Sequence, residues 1–313
     1  MMKVAFIFPG QGSQSVGMMN SYSELSLIRE TFNEASDILQ QDLWSLVSNG
    51  PEDSLNLTTN TQPIMLTADV SIYRAWQRAG GIEPDCLAGH SLGEYAALVV
   101  AEALTFTDAL KLVRYRAKVM QETVPEGTGG MAAIVGLDDD TVSSVCAEVI
   151  NEMPDTSLEP ANFNAPGQVV IAGHSRAVTH AVVLAKSKGA KLAVVLPMSI
   201  PSHCSLMQPA AEKFSLLLEE IALKSPRIPV LHNADVRQHY EVASIREILM
   251  RQLYHPVRWT ETIQAFAAQN IKYVVECGPG KILSGLNRRI DKNLENIMLT
   301  DSGSLLKTVE VLQ

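Results

Sequence analysis

A chain of 313 residues with 46% hydrophobic and 19% charged residues can bury a large core, which excludes general disorder and suggests about two domains. Its formal net charge of −9 argues against general nucleic-acid binding. The cysteines Cys86, Cys146, Cys204 and Cys277 form no CxxC pair and the apolar runs are short, which argues against a zinc site, a disulfide framework, a signal peptide or a membrane span and fits a cytoplasmic protein.

The chain opens with a strand expected over residues 3–8, KVAFIF, which breaks at PGQG. Residues 61–79 read as a helix, 85–88 as a short strand and 92–101 as a helix. Residues 107–122 read as another helix, with Thr107 as its N-cap. Strands alternating with helices predict a parallel sheet with helices on both faces. The pattern changes after PEGTGG at 125–130. A strand (131–137), a helix (138–152), two strands (160–164 and 168–172), a helix (175–188) and a strand (191–196) follow. That βαββαβ order is the ferredoxin-like arrangement. The expected organisation is a large α/β domain of residues 1–127 and 198–313 with a small ferredoxin-like domain, 128–197, inserted into it. The large domain continues with helices over 205–223, 244–253 and 260–269. Strands are expected over 228–232 and 272–276, the last ending at CGPG.

The tetrapeptide AGHS occurs twice, each time between an apolar run and a helical segment. At Gly89-His90-Ser91-Leu92-Gly93 it completes Gly-x-Ser-x-Gly, the strand-turn-helix pattern that presents a nucleophilic serine. At Gly173-His174-Ser175 the final glycine is replaced by Ala177, and Ser175 reads as the cap of the helix that follows. A serine hydroxyl needs a positioned base, for which histidine is best suited near neutral pH. Of seven histidines, His203 is the leading candidate, because the expected helix at 205 would present its positive end and keep the imidazole neutral. His90 is the next candidate.

Arg116 falls within the apolar face of its helix, so an anion must meet it. That anion is either an internal Asp or Glu or a carboxylate on the substrate. An acyl-transfer serine also needs an oxyanion hole. The amide of Leu92 supplies one donor, and FPGQGSQ, with Gln11, is the candidate for the other. Neither glycine-rich loop matches a phosphate-binding pattern.

Taken together and in order, FPGQGSQ, TQP, GHSLGE, RAKVMQ, NFNAPGQVVIAG, SHCSLM, RQLYHPVRW and ECGPGK resemble the malonyl-CoA:acyl carrier protein transacylases of fatty-acid synthesis along almost the whole chain. The resemblance implies a hydrolase-like parallel-sheet core with a ferredoxin-like insertion. It implies ping-pong transfer of malonyl from malonyl-CoA to the phosphopantetheine thiol of acyl carrier protein. It also implies Ser91 as nucleophile, His203 as base, the Gln11 and Leu92 amides as oxyanion donors, and Arg116 on the malonyl carboxylate. The backbone carbonyl of Gln252 is then expected to orient the histidine in place of an acid. No metal or cofactor is expected, and a monomer suffices. A discrete acyltransferase of a polyketide pathway shares every motif. A serine esterase would instead require a triad acid and a histidine near the C-terminus. A carrier-protein-binding module without catalysis would lack Ser91 or His203. Because acyl carrier proteins are acidic and this chain is too, docking is expected on a local basic patch. The candidates are Lys186, Lys188 and Lys191, and Arg288 with Arg289.

Overall fold

The computed structural model describes residues 3–198 and 200–313. Among the described residues nine strands form two sheets: β1 (Val4–Phe8), β2 (Cys86–Gly89), β3 (Gly129–Val135), β4 (Leu158–Ala165), β5 (Gln168–His174), β6 (Leu192–Val195), β7 (Val230–Leu231), β8 (Tyr273–Glu276) and β9 (Glu295–Met298). The first sheet has the order β7-β2-β1-β8-β9 and every neighbouring pair is parallel. The expected parallel α/β core is therefore present.

The central strand β1, VAFIF, is buried at all five positions. Such continuous burial suits a parallel strand covered on both faces. Its side chains alternate between the two sides. Phe6 meets Tyr73 and Trp76 of the helix Thr58–Arg78. Ala5 and Ile7 pack in the opposite cluster with Trp259, Ile263 and Phe266 of the helix Trp259–Ala268.

The second sheet has the order β4-β5-β3-β6 with antiparallel neighbours. The helices Asp139–Glu152 and Ser175–Ser187 cover one face around Ile134, Val145, Ile171 and Val178. The other face packs Met131, Ala161, Val170 and Ala172 against Cys204, with Leu196, Met198 and Leu206 at its margin. The second sheet thereby braces the segment that carries His203. Backbone bonds from Phe163 N to Val257 O and from Val257 N to Ala161 O, both 2.9 Å, join β4 to the chain ahead of the helix Trp259–Ala268.

Several local expectations are corrected. The helix Phe106–Thr123 is capped by Thr105, not Thr107. Thr105 has extended backbone and its hydroxyl accepts from Asp108 N at 3.0 Å, while Phe106 already turns into the core as the first helical residue. Residues 205–223 are not one helix: a 3-10 turn, Ser205–Met207, precedes the α-helix Gln208–Glu220. Pro209 sits in the first turn of that helix, where its missing N–H costs nothing. The edge strand β9 and the helix Ser302–Leu312 carried no expectation.

β2 leads through Ser91, whose φ of 51° is left-handed, into the helix Gly93–Val100. A Cβ on Gly93 would lie 2.1 Å from the carbonyl oxygen of Phe8 at the end of β1. The obstruction is backbone of the central strand and cannot swing aside. Gly93→Ala should therefore cost about 1–3 kcal/mol of stability, the usual range for overpacking. Urea unfolding of the two proteins measures it; a difference below about 0.5 kcal/mol, the range of an ordinary surface substitution, would contradict this packing.

Candidate active site

The left-handed turn at Ser91 lifts its hydroxyl off the end of β2. Ser91 Oγ lies 2.7 Å from His203 Nε2. His203 also has a left-handed backbone, φ 64°, and its amide donates to Leu253 O at 3.0 Å. Its Nδ1 lies 2.8 Å from the carbonyl oxygen of Gln252. A carbonyl can only accept, so Nδ1 carries the proton and Nε2 presents its lone pair to Ser91. Burial, and next the charge of Arg116, push the His203 pKa down to about 3. The neutral imidazole expected from the sequence is thus present for a different reason. His203 precedes only a three-residue 3-10 turn, not the start of a long α-helix.

Arg116 projects from the helix Phe106–Thr123 and is 2% exposed. Its NH1 donates to Gln62 Oε1 at 2.8 Å, and NH2 donates to Gln252 Oε1 at 3.1 Å and to Ser91 Oγ at 3.2 Å. The guanidinium carbon lies 5.7 Å from the centre of the Tyr95 ring. Among the described residues no Asp or Glu lies within ion-pair distance of it. The internal acid, one of the two expected anions, is absent there. Burial lowers the arginine pKa from its ordinary value, but a guanidinium stays charged in proteins.

The loop after β1 lies against the elbow. A Cβ on Gly10 would fall 2.4 Å from His90 O and 3.7 Å from Leu92 N. Among the described residues, the amides of Gln11 and Leu92 donate to no protein acceptor. Two unengaged N–H groups beside the serine are what an oxyanion site requires. The Gln11 side chain accepts from Thr58 Oγ1 at 2.9 Å, and Thr58 Oγ1 accepts from Gln62 Nε2 at 2.9 Å.

Three residues of the site carried no expectation. Asn233, just beyond β7, accepts from Ser91 N at 2.6 Å and donates to Gly89 O at 2.6 Å, splinting the elbow. Glu94 is fully buried and accepts from His232 Nδ1 (2.7 Å), Gln252 Nε2 (2.9 Å) and Asn233 N (3.0 Å). Gln62 contacts Arg116 as above. The signal available for Asn233 was its position at the carboxyl end of a parallel strand, where functional groups of α/β sheets gather. For Glu94 and Gln62 it was a polar side chain within an otherwise apolar helical stretch.

The second AGHS has no such neighbours. Ser175 does not cap its helix, because it is already the first helical residue and His174 occupies the cap. Its hydroxyl donates to Gly127 O at 2.8 Å. His174 Nδ1 accepts from Ser157 N, and His180 pairs with Glu152. His90, the alternative base, has its Nε2 2.8 Å from Asn164 Oδ1. All five basic candidates are exposed, but Lys188 lies 2.6 Å from Glu148. Arg289 donates to Gln168 and to Pro166 O, so it fastens the helix Ile282–Ile290 to the β4–β5 turn. Among the described residues no group of three or more His, Cys, Asp and Glu has the arrangement of a metal site. No helix there is long and apolar enough to cross a membrane.

The acyl transferase domain family matches residues 5–297. The malonyl CoA-acyl carrier protein transacylase of Salmonella typhimurium is 49% identical over 306 residues, 97% of this chain and 98% of that protein. A crystal structure of an acyl-carrier-protein S-malonyltransferase from Burkholderia pseudomallei matches with a TM-score of 0.96 and 53% identity, covering 99% of this chain and 100% of that one. A type II PKS acyl-carrier protein in complex with its malonyl-transacylase also matches, with a TM-score of 0.96 and 47% identity over 99% of each chain.

The burial of His203 makes a pH prediction. Its folded pKa is about 3, against roughly 6.5 for a free histidine. Between those values the unfolded chain binds a proton that the folded chain does not, so this group removes stability as pH falls below about 6.5. Between about pH 7.5 and 5 the loss is about 2 kcal/mol. His203→Gln cannot titrate and should lack that component. Urea unfolding of both proteins at the two pH values isolates it; equal pH dependence in the two would contradict a buried, neutral His203.

Proposed function

The chain belongs to the acyl transferase family, and from that membership we propose that it carries a malonyl group from malonyl-CoA to the phosphopantetheine thiol of acyl carrier protein. It is an acyl-carrier-protein S-malonyltransferase that works through a malonyl-serine intermediate and supplies fatty-acid synthesis. The observation that carries this reading is a buried arginine with no acidic partner, 3.2 Å from a serine hydroxyl that is bonded to a neutral histidine.

In the first half-reaction Ser91 Oγ attacks the thioester carbonyl and His203 Nε2 takes its proton. The amides of Gln11 and Leu92 hold the oxyanion of the tetrahedral intermediate. The carbon–sulfur bond breaks, and His203 returns its proton to the sulfur of coenzyme A. In the second half, the carrier-protein thiol gives its proton to His203 and attacks the acyl-serine; the serine oxygen leaves and is reprotonated. The imidazolium formed in each half is held by the Gln252 carbonyl at Nδ1. Arg116 takes the malonyl carboxylate in a charge-assisted, bidentate pair. A carbonyl in place of a triad acid speaks against an ordinary serine esterase.

The reading needs no metal or cofactor and assigns the protein to the cytoplasm as a monomer. Residues 128–197 are assigned to an inserted ferredoxin-like domain, on the strength of their element order and antiparallel pairing. The carrier protein would dock on Lys186, Lys191 and Arg288, with Lys188 and Arg289 contributing less because each already has a protein partner. A polyketide carrier protein is the second acceptor to consider, favoured by the similarity to the transacylase solved with a type II PKS carrier protein.

Incubation with malonyl-CoA should give a malonyl adduct on the peptide that carries Ser91 and none on the one that carries Ser175. An adduct on Ser175, or normal transfer by Ser91→Ala, would defeat the assignment. Arg116→Ala should lose malonyl transfer about tenfold to a hundredfold more than acetyl transfer, the worth of one charge-assisted interaction. Equal losses for the two acyl groups would make Arg116 a purely structural residue.

A further inference from the structure

The contacts of Arg116 raise a question that the reaction alone does not answer: why a buried cation is held by amides when a carboxylate would hold it better. Gln62 is 1% exposed, and its Oε1 accepts from Arg116 NH1 at 2.8 Å. Its Nε2 points the other way and donates to Thr58 Oγ1 at 2.9 Å. Thr58 spends its own proton on Gln11 Oε1. The direction of donation is therefore fixed along the chain Gln62, Thr58, Gln11, and the oxygen of Gln62 must face the guanidinium. Gln252 repeats the arrangement: Oε1 accepts from Arg116, while Nε2 is held by Glu94 Oε2 at 2.9 Å and by Ser91 O at 3.0 Å. Glu94, the acid of this network, is occupied by three donors and stands one residue further out.

Resting on the malonyl-transfer reading above, we infer that Gln62 is a specificity-determining residue, which orients Arg116 without neutralising it. A neutral acceptor fixes the plane of the guanidinium and leaves its full positive charge facing the serine. An acyl group with a carboxylate then satisfies a buried charge, whereas an acetyl group leaves that charge without a counter-ion. A carboxylate at position 62 would reverse the preference. It would be kept ionised by the adjacent guanidinium and would compete with the malonyl carboxylate for it. Through Thr58 the same amide also touches the loop that carries Gln11, so the acyl-selecting and oxyanion-binding parts share one hydrogen-bonded chain. Gln62 touches no substrate atom in this account; it positions and tunes Arg116.

The test is the ratio of kcat/KM for acylation by malonyl-CoA to that by acetyl-CoA, measured on the whole protein. Gln62→Glu is nearly isosteric, and the ratio should fall at least tenfold, an amount expected for loss of one charge-assisted contact. Gln62→Met has similar volume, leaves the arginine charge in place and removes both the acceptor for Arg116 and the donor to Thr58. Its ratio should fall by less than that of Gln62→Glu but by more than about threefold, because a guanidinium no longer held in its plane pairs less well with the malonyl carboxylate. Malonyl and acetyl rates that fall together, with the ratio of either folded variant within about threefold of the parent, would overturn the inference and make Gln62 a packing residue. Should Gln62→Glu fail to fold, the Gln62→Met ratio alone decides. A parent protein that takes up no malonyl group at all would instead overturn the functional reading on which the inference rests.

Discussion

The structure depends on one buried, un-neutralised charge. Placing the guanidinium of Arg116 in the protein interior without an acid costs several kcal/mol. Two glutamine oxygens, a serine hydroxyl and the face of Tyr95 offset part of that cost. In the proposed function, that charge gives the site an electrostatic preference for an anionic acyl group before any substrate arrives. The same charge helps to keep His203 neutral, which is the state a proton acceptor must have. In the proposed function, acyl selection and a neutral proton acceptor are thus two consequences of one cation.

The parallel sheet makes this arrangement geometrically available. Its central strands β1 and β2 end side by side, so the loop with Gln11 and the turn with Ser91 emerge together. β7 lies on the other side of β2 and delivers Asn233 to the back of the turn. Helices then bring in what the strand ends lack: Arg116 from Phe106–Thr123, Gln62 from Thr58–Arg78 and Gln252 from Val242–Gln252. Gln252 has two roles by virtue of its two ends, the backbone carbonyl on His203 and the side-chain amide on Arg116 and Glu94. The inner face of the second sheet packs on Cys204 and so braces the segment that carries His203.

What could be read in the sequence followed the range of the interactions involved. β1 and the elbow at Ser91 were legible because local pattern dictates them: a five-residue apolar run, and glycines where backbones touch. Arg116 stood out as a charge on an apolar face, although the sequence left its anion open. His203 could only be preferred among seven histidines, since its partner lies 112 residues away in the chain. Asn233 and Glu94 offered only a strand end and a polar residue in an apolar helix, and neither signal names a partner; Asn233 reaches Ser91 across 142 residues. The cap at Thr105 was misplaced by two residues because Thr105 and Thr107 are both good capping residues and only the burial of Phe106 distinguishes them. β9 was missed because ENIM at a sheet edge is short and half polar. The helix Ser302–Leu312 was missed although Asp301 and Ser304 form a capping box, since the serine stands where a glutamate or glutamine is usual.

The central claim, that Arg116 keeps its charge for the acyl group, is tested most directly by a crystal structure of the malonyl-serine form. Both carboxylate oxygens should lie within about 3 Å of the Arg116 guanidinium nitrogens, the distance of a charge-assisted bidentate pair. Gln62 and Gln252 should still accept from the same arginine. A malonyl carboxylate directed to solvent or to another side chain, with Arg116 bonded only to the two glutamines, would contradict the account.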